Sequence, residues 1–387
     1  MEKINLKNPN RPVNQNVSTL SETSIFLPVD QNTLLEVRNL RVFFKSKRKV
    51  INVVRGVDLK IQRGEIVGIV GESGSGKSVM TKALLNINPG TITVADSARL
   101  HLEDGFFVDL DKLKDFTSVR GSKIGYIPQD PMSSLNPTRK IWKQIQDVLL
   151  LFRKDLKTKT ERINYMVELL TKFGMRNARE RIFQYPHVLS GGMKQRVVIA
   201  MVVACRPSLI IADEPTTALD TTVQASVLEL LEMIRREYNI SIIFISHNIA
   251  VVAKFVSYIY VVYCGKIVER GTKEEILTDP RHPYTWALLS ALPDQSEDKL
   301  DSIPGRPPSL EHLPAGDPFA ARNPYALEVD FRVEPPLIPI SKTHAAASWL
   351  LHPKAPKVTL PPRVKKIMLQ FKRVFSRQKK SGGSHGS

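Results

Sequence analysis

An α/β fold organised around a phosphate-binding loop is what this 387-residue sequence predicts, and three observations predict it. Apolar, β-rich runs recur at Ile66–Val70, Leu209–Asp213 and Ile240–Ser246, each of a length that suits a buried strand. The first runs directly into Gly71-Glu-Ser-Gly-Ser-Gly-Lys77-Ser78, where Gly71, Gly74 and Gly76 let backbone N–H groups curl around a phosphate with no Cβ in the way. The segment that follows, Val79–Leu85, is helix-compatible, so a helix N-terminus and its unpaired N–H groups would face the same anion. In that setting Lys77 reaches the β- and γ-phosphates, and Ser78 offers its hydroxyl to Mg²⁺.

Composition bounds the rest. The length accommodates one large or two modest domains, and a 42% hydrophobic content supplies an ordinary core. The longest uncharged apolar runs, such as 197–205, fall well short of the roughly 20 residues of a membrane span. The polar N-terminus lacks a continuous apolar signal core, which predicts a cytosolic chain with a mobile arm over residues 1–33. Cys205 and Cys264 each sit in an apolar run, which predicts buried, reduced thiols with no metal-ligand spacing. The net charge of +18 resembles a nucleic-acid signature until it is located: residues 353–387 hold ten Lys/Arg and no acid, leaving about +8 elsewhere. No nucleic-acid partner is expected.

In chain order, residues 34–44 and 50–61 read as an antiparallel hairpin across a basic turn, with Phe44 either stacking on an adenine ring or filling core. A stretch without clear pattern follows the loop helix. Lys123–Ile127 then reads as a strand, and Pro128 and Pro131 break regular structure around Gln129, whose amide oxygen is a candidate Mg²⁺ ligand. Residues 138–183 carry helical spacing, as in Met166, Leu169, Leu170 and Phe173, and predict a mainly helical insertion. At Leu189-Ser190-Gly191-Gly192-Met193, Ser190 suits a helix cap and the glycines allow close backbone approach, giving either a second anion site or a capped core helix. The strand ending at Asp213 delivers that carboxylate to a Mg²⁺ shell, and Glu214 beside it can polarise a water. The strand ending at Ser246 presents His247, a candidate partner of the γ-phosphate or of the attacking water.

These elements in this order resemble the nucleotide-binding subunits of ABC transporters over about residues 34–290. The resemblance implies an ABC-type P-loop NTPase: a RecA-like core, an antiparallel β subdomain and a helical subdomain at about 130–205. Gly71–Ser78 resembles the Walker A loop, with Ser73, Gly74, Ser75, Gly76 and Val79 around the phosphates. Gln129 is similar to the Q-loop glutamine, Leu189–Met193 to the signature, Leu209–Asp213 to Walker B, Glu214 to the catalytic base, 217–220 to the D-loop and His247 to the switch histidine. Phe44 falls where the family has its adenine-stacking aromatic. The implied activity is ATP hydrolysis with ATP and Mg²⁺. Two cassettes sandwich two ATP molecules head to tail, so that Ser190, Gly191, Gly192 and Asp220 serve the partner's nucleotide.

Within the family, Gly71–Val79, Gln129–Pro137 and Asp279-Pro-Arg-His-Pro-Tyr-Thr-Trp286 resemble the peptide/nickel importer branch, which holds the oligopeptide and dipeptide permease ATPases. Ile303–Pro308 and Pro318-Phe-Ala-Ala-Arg322 carry the likeness into that branch's C-terminal extension, 291–356, followed by a basic tail, 357–387. The resemblance implies oligopeptide import, with nickel or another small solute as the alternative and a soluble ABC ATPase on ribosomes or DNA as a remoter one. It also implies a second ATPase cassette, a paralogous OppF-like subunit or else another copy of this chain, with two membrane-spanning permease subunits, an extracytoplasmic solute-binding protein, and a peripheral position on the cytoplasmic face of the membrane. Where the branch commonly has four cluster-binding cysteines, this sequence has Asp317, Asn323, Asp330 and Ser348, so no Fe–S cluster is expected. In the tail, Val364, Ile367, Met368, Phe371 and Phe375 repeat at helical spacing among basic residues, a pattern that suits either an anionic lipid surface or a solvated tail.

Overall fold

Two sheets follow from two kinds of sequence. The computed structural model describes residues 31–45, 49–102, 105–130, 134–217, 220–292 and 303–382. The expected N-terminal arm up to residue 30, positions 131–133 and 218–219 of the motif runs, and 293–302 of the extension lie outside the described residues.

Alternating strands build the first sheet. β1 (Thr33–Lys45) and β2 (Val50–Gln62) pair antiparallel as the hairpin, and β4 (Thr91–Val94), β5 (Ser97–His101) and β6 (Phe107–Asp109) join on the β1 side. These last three strands occupy the stretch that lacks a pattern in sequence. They are short; β4 and β5 take their register from β1 and β6 from β5, and in β5 only Ala98 and Leu100 point into the core, too few to register as periodicity.

Near-continuous apolar runs build the second sheet, in the order β12–β13–β11–β10–β3–β9–β8–β7. β3 (Ile66–Val70), β7 (Ile124–Ile127), β8 (Leu209–Asp213), β9 (Ser241–Ser246) and β10 (Tyr258–Tyr263) run parallel. β3, β8 and β9 are buried along their whole length, as parallel strands covered on both faces must be. β11 (Lys266–Thr272) continues the sheet antiparallel, and the extension adds β12 (Ile338–Pro339) and β13 (Ala345–Ala346) at that edge.

The helices are α1 (Lys77–Ala83), α2 (Ile141–Phe152), α3 (Lys159–Lys172), α4 (Ala178–Arg181), α5 (Gly191–Ala204), α6 (Thr221–Tyr238), α7 (Ile249–Phe255), α8 (Lys273–Thr278), α9 (Pro283–Ser290) and α10 (Pro362–Gly382). α2 to α5 fill the region read as a helical insertion. Met166, Leu169 and Leu170 on α3 are buried, and Thr158 with Glu161 closes its N-terminus as a capping box.

The tail corrects one expectation. α10 does turn the predicted apolar stripe to one side, but that side is covered by protein: Val364 and Ile367 are buried, and Phe371 and Phe375 pack against the core beside α8 and α9. That apolar face is seated on its own chain and is not free to enter lipid, while the outward side carries basic residues such as Lys365 and Lys372 together with the exposed Leu369 and Val374. Among the described residues no helix is long and apolar enough to cross a membrane.

Candidate active site

Strand register brings the site together. In the parallel sheet Val70 pairs with Ser246, and Ile245 pairs with both Ile69 and Asp213, so β3, β9 and β8 end in one row. The residues just beyond that row are Gly71, His247 and Glu214. β7 ends beside β8, with Ile127 opposite Ala212, and delivers Gln129 to the same edge. All four motif segments therefore open at the carboxyl ends of adjacent parallel strands, where open α/β sheets bind ligands.

The loop itself is shaped by close approach. A Cβ on Gly71 would meet the Val262 carbonyl at 2.1 Å, and Gly76, the residue before α1, has φ +97°. Neither position admits another residue without moving backbone. Ser73 and Gly74 form the exposed crest, and Ser75 is buried with its Oγ unpaired. Lys77 is buried, and its Nζ donates to the carbonyls of Gly71 and Glu72, both at 2.8 Å. Burial holds its ammonium below the usual lysine range, with Glu214, Asp213 and Glu72 pulling the other way. Val79, in the first turn of α1, packs on the core below. The orphaned Ser75 hydroxyl, a lysine with only carbonyl oxygens for partners and a helix start together fit a polyphosphate.

Two carboxylates face this cradle with different partners. Asp213 accepts from Ser78 Oγ at 2.6 Å on Oδ1 and from the Tyr126 hydroxyl at 2.7 Å on Oδ2, with Lys82 Nζ 3.7 Å away. Burial, then the Asp213 carboxylate, pushes the Tyr126 phenol well above the usual tyrosine range, so it stays a donor. A carboxylate joined to a serine hydroxyl is the donor set of a hard cation such as Mg²⁺, which keeps waters and phosphate oxygens as its other ligands. Glu214 has φ +47°, a conformation that costs a non-glycine residue about 1–2 kcal/mol and is held here by Glu214 N donating to Ile245 O at 3.1 Å. Its Oε2 accepts from Thr217 Oγ1 at 3.0 Å and Gln129 Nε2 at 3.3 Å, and lies 3.1 Å from His247 Nδ1. Gln129, expected at the metal, thus touches Glu214 and not the Ser78–Asp213 pair.

The second group of expected residues sits at two helix starts, α5 and α6, with Phe44 on the hairpin. Ser190 caps α5 by accepting from Met193 N at 3.4 Å, worth about 1 kcal/mol, and Ser190 and Gly191 are exposed. Gly192 is buried for a packing reason as well, because a Cβ there would meet Val223 on α6 at 2.9 Å. Asp220 caps α6, its Oδ1 accepting from Thr222 N and Val223 N. Phe44 is half-buried near the hairpin end, opposite Ile51 and Thr91; two residues on, the Val53 carbonyl lies 3.1 Å from where a Gly76 Cβ would stand.

Four contacts at the site are absent from the sequence reading. Tyr126 and Lys82 flank Asp213, while Arg322 and the Tyr284 hydroxyl both bond Glu72 inside the loop. The strand-end position of Tyr126, three residues before Gln129, is the one signal in sequence that points to any of them.

The extension's four substituted positions do not fit an Fe–S cluster. Asp317 accepts from Phe319 N at 2.9 Å, Asn323 from Tyr325 N at 2.9 Å, Asp330 from Leu327 N at 2.6 Å and Ser348 from Leu350 N at 3.3 Å. All are hard oxygen acceptors spent on turns two or three residues long, where an iron site needs thiolates.

Known proteins resemble this chain over most of its length. The family described as ABC transporter matches residues 54–217, and the oligopeptide/dipeptide transporter C-terminal region matches 268–329. The oligopeptide transport ATP-binding protein OppD of Mycoplasma genitalium is 44% identical over 403 residues, covering 91% of this chain and 99% of that protein. OppD of Bacillus subtilis is 46% identical over 347 residues, covering 89% and 96%. Among solved structures, a dimeric ATP-binding cassette in a post-hydrolysis state with ADP and Pi superimposes with a TM-score of 0.53 at 25% identity, covering 62% of this chain and 99% of that one. This chain belongs to the ATP-binding subunits of ABC transporters, in the branch that carries the oligopeptide/dipeptide transporter C-terminal region.

Proposed function

We propose that this chain is the ATP-hydrolysing subunit of an oligopeptide importer, and that ATP-driven closure of two such cassettes powers transport through separate membrane subunits. The observation that carries the chemistry is the convergence of Ser78–Asp213 and His247–Glu214 beside the loop at one sheet edge. The peptide cargo rests on relatives named for oligopeptide and dipeptide transport.

In this reading ATP is the substrate. Ser73, Gly74, Ser75, Gly76, Lys77, Ser78 and Val79 surround its phosphates, and Phe44 stacks on the adenine. Lys77 exchanges its two carbonyl partners for phosphate oxygens. Mg²⁺, when held by Ser78 and Asp213, would supply charge neutralisation on the phosphates, with Gln129 beside it on Glu214. Glu214 accepts the proton of a water whose oxygen forms a bond to the γ-phosphorus while the bond to the ADP oxygen breaks, and His247 orients that water or the phosphoryl group. Ser190, Gly191 and Asp220, which are exposed, and the buried Gly192 beside them act on the nucleotide of the second cassette. That cassette is a paralogous OppF-like ATPase. Two permease subunits and an extracytoplasmic solute-binding protein complete the importer, with this chain peripheral on the cytoplasmic face.

The test is to reconstitute the chain with the permease, ATPase and solute-binding chains that co-purify with it and to measure ATP hydrolysis against added solutes. Oligopeptides are expected to stimulate turnover. Stimulation by Ni²⁺ with none by peptides would move the cargo to the alternative in the same branch.

A further inference from the structure

Arg322 ties the C-terminal extension to the phosphate loop. Its side chain is only 4% exposed, and its two terminal nitrogens fork onto the Glu72 carboxylate, Nη1 to Oε2 at 2.6 Å and Nη2 to Oε1 at 2.8 Å. The guanidinium is fixed from behind: Nε donates to the Pro304 carbonyl at 2.7 Å, Nη2 to the Gly305 carbonyl at 3.4 Å and Nη1 to the Tyr263 hydroxyl at 3.1 Å. Glu72 is the second residue of the loop. Its N–H donates to the Tyr284 hydroxyl at 2.7 Å, and its carbonyl accepts from Lys77 Nζ at 2.8 Å and Ser75 N at 3.2 Å. Every polar group of Glu72 is therefore engaged. The two side chains that engage it from outside the loop, Tyr284 on α9 and Arg322, both come from the C-terminal part of the chain.

We propose that Arg322 is a positioning residue for nucleotide binding: from the extension it neutralises and pins Glu72, and so holds the base of the phosphate loop in the shape that receives ATP. The inference rests on reading residues 71–78 as the ATP site and adds the extension as a determinant of its affinity. Two effects act in the same direction. An unneutralised carboxylate in a polyphosphate loop repels the ligand, and a loop freed at residue 72 must be ordered on binding. Lysine cannot replace the planar fork, because a single ammonium does not hold both carboxylate oxygens in one geometry.

The experiment is equilibrium binding of ribose-labelled fluorescent ATP, with Mg²⁺, to the full chain. R322A is expected to raise Kd about tenfold, and R322K to recover little of it. In the E72Q background, which removes the charge and keeps the shape, adding R322A is expected to change Kd by less than about threefold, the non-additivity that two residues in contact must show. W349F, which removes the bond from Trp349 Nε1 to Val333 O elsewhere in the extension, serves as control and is expected to leave Kd unmoved while lowering thermal stability. Kd within twofold of wild type for R322A, full additivity in the E72Q background, or an equal rise in W349F would each overturn the proposal. If R322A does not fold, E72Q alone decides, with about a threefold rise expected and no change fatal. A wild-type chain that binds no labelled ATP would instead refute the ATP reading itself.

Discussion

Asp213 and Glu214 at the edge of the parallel sheet, and Asp317 and Asp330 in the extension, are four buried acids in one chain, yet they keep different company. The first pair is met by side chains from distant parts of the sequence: Ser78, Tyr126 and Lys82 at Asp213, and Gln129, Thr217 and His247 at Glu214. The second pair is met by backbone N–H groups two or three residues away, Phe319 for Asp317 and Leu327 for Asp330. Side chains can let go of a carboxylate and hand it to a cation or a water; a turn cannot release its cap without unfolding. Partner type, more than burial, separates acids that work from acids that hold.

The sharpest way to break that contrast is E214Q. Glutamine keeps the shape and can still bond Thr217, but it cannot take a proton. Turnover in the assembled transporter is expected to fall at least about a hundredfold while ATP affinity stays within about twofold. Steady-state hydrolysis beside nucleotide binding checks both numbers, and near-normal turnover would put Glu214 among the structural acids. A smaller effect belongs to Y126F, which removes the hydroxyl on Asp213 Oδ2 and leaves the ring. Because such outer partners orient metal ligands, the Mg²⁺ concentration for half-maximal hydrolysis is expected to rise about tenfold, with turnover at saturating Mg²⁺ little changed. An unmoved Mg²⁺ titration would mean that Tyr126 only packs.

The same contrast explains what sequence reveals. Gly71–Ser78, Asp213, Glu214 and His247 are legible because the chemistry dictates residue type and the strands dictate position. A phosphate loop must follow a strand, and acids that serve it must end neighbouring strands. Arg322 and Glu72 are not legible, being 250 positions apart and joined only by the folded path of the extension. Nor are β12 and β13, two residues each, whose pairing with the sheet edge has no periodicity to announce it. The α10 pattern shows the intermediate case. An apolar stripe states that a face is buried but not against what, and here α8 and α9, not lipid, supply the surface. At Asp317, Asn323, Asp330 and Ser348 the resemblance reveals a missing thiolate set, whereas the turns these residues cap emerge only with backbone geometry.

The smallest expected effect tests the extension's side of the comparison through pH. Burial raises the Asp317 carboxyl to about 6, reinforced by Asp330 and Glu334 and opposed by the Phe319 N–H and Arg55. Its value in the unfolded chain is about 3.9. Between those values the native state binds more protons than the unfolded one, so this residue's contribution is fully present below about pH 4 and is lost as pH rises through 6. At neutral pH the native chain carries a buried charge that a turn cap does not need. D317N retains an acceptor for the Phe319 N–H and removes the charge. It is expected to stabilise the protein by about 1 kcal/mol at pH 7.5, near 2 °C in thermal midpoint, with the gain vanishing by pH 4. Midpoints at pH 4, 6 and 7.5 measure the slope. A loss of stability at pH 7.5 would show that the Asp317 charge is needed where it stands, by Arg55 before any other group, and the extension's acids would then hold their fold by charge and not by capping alone.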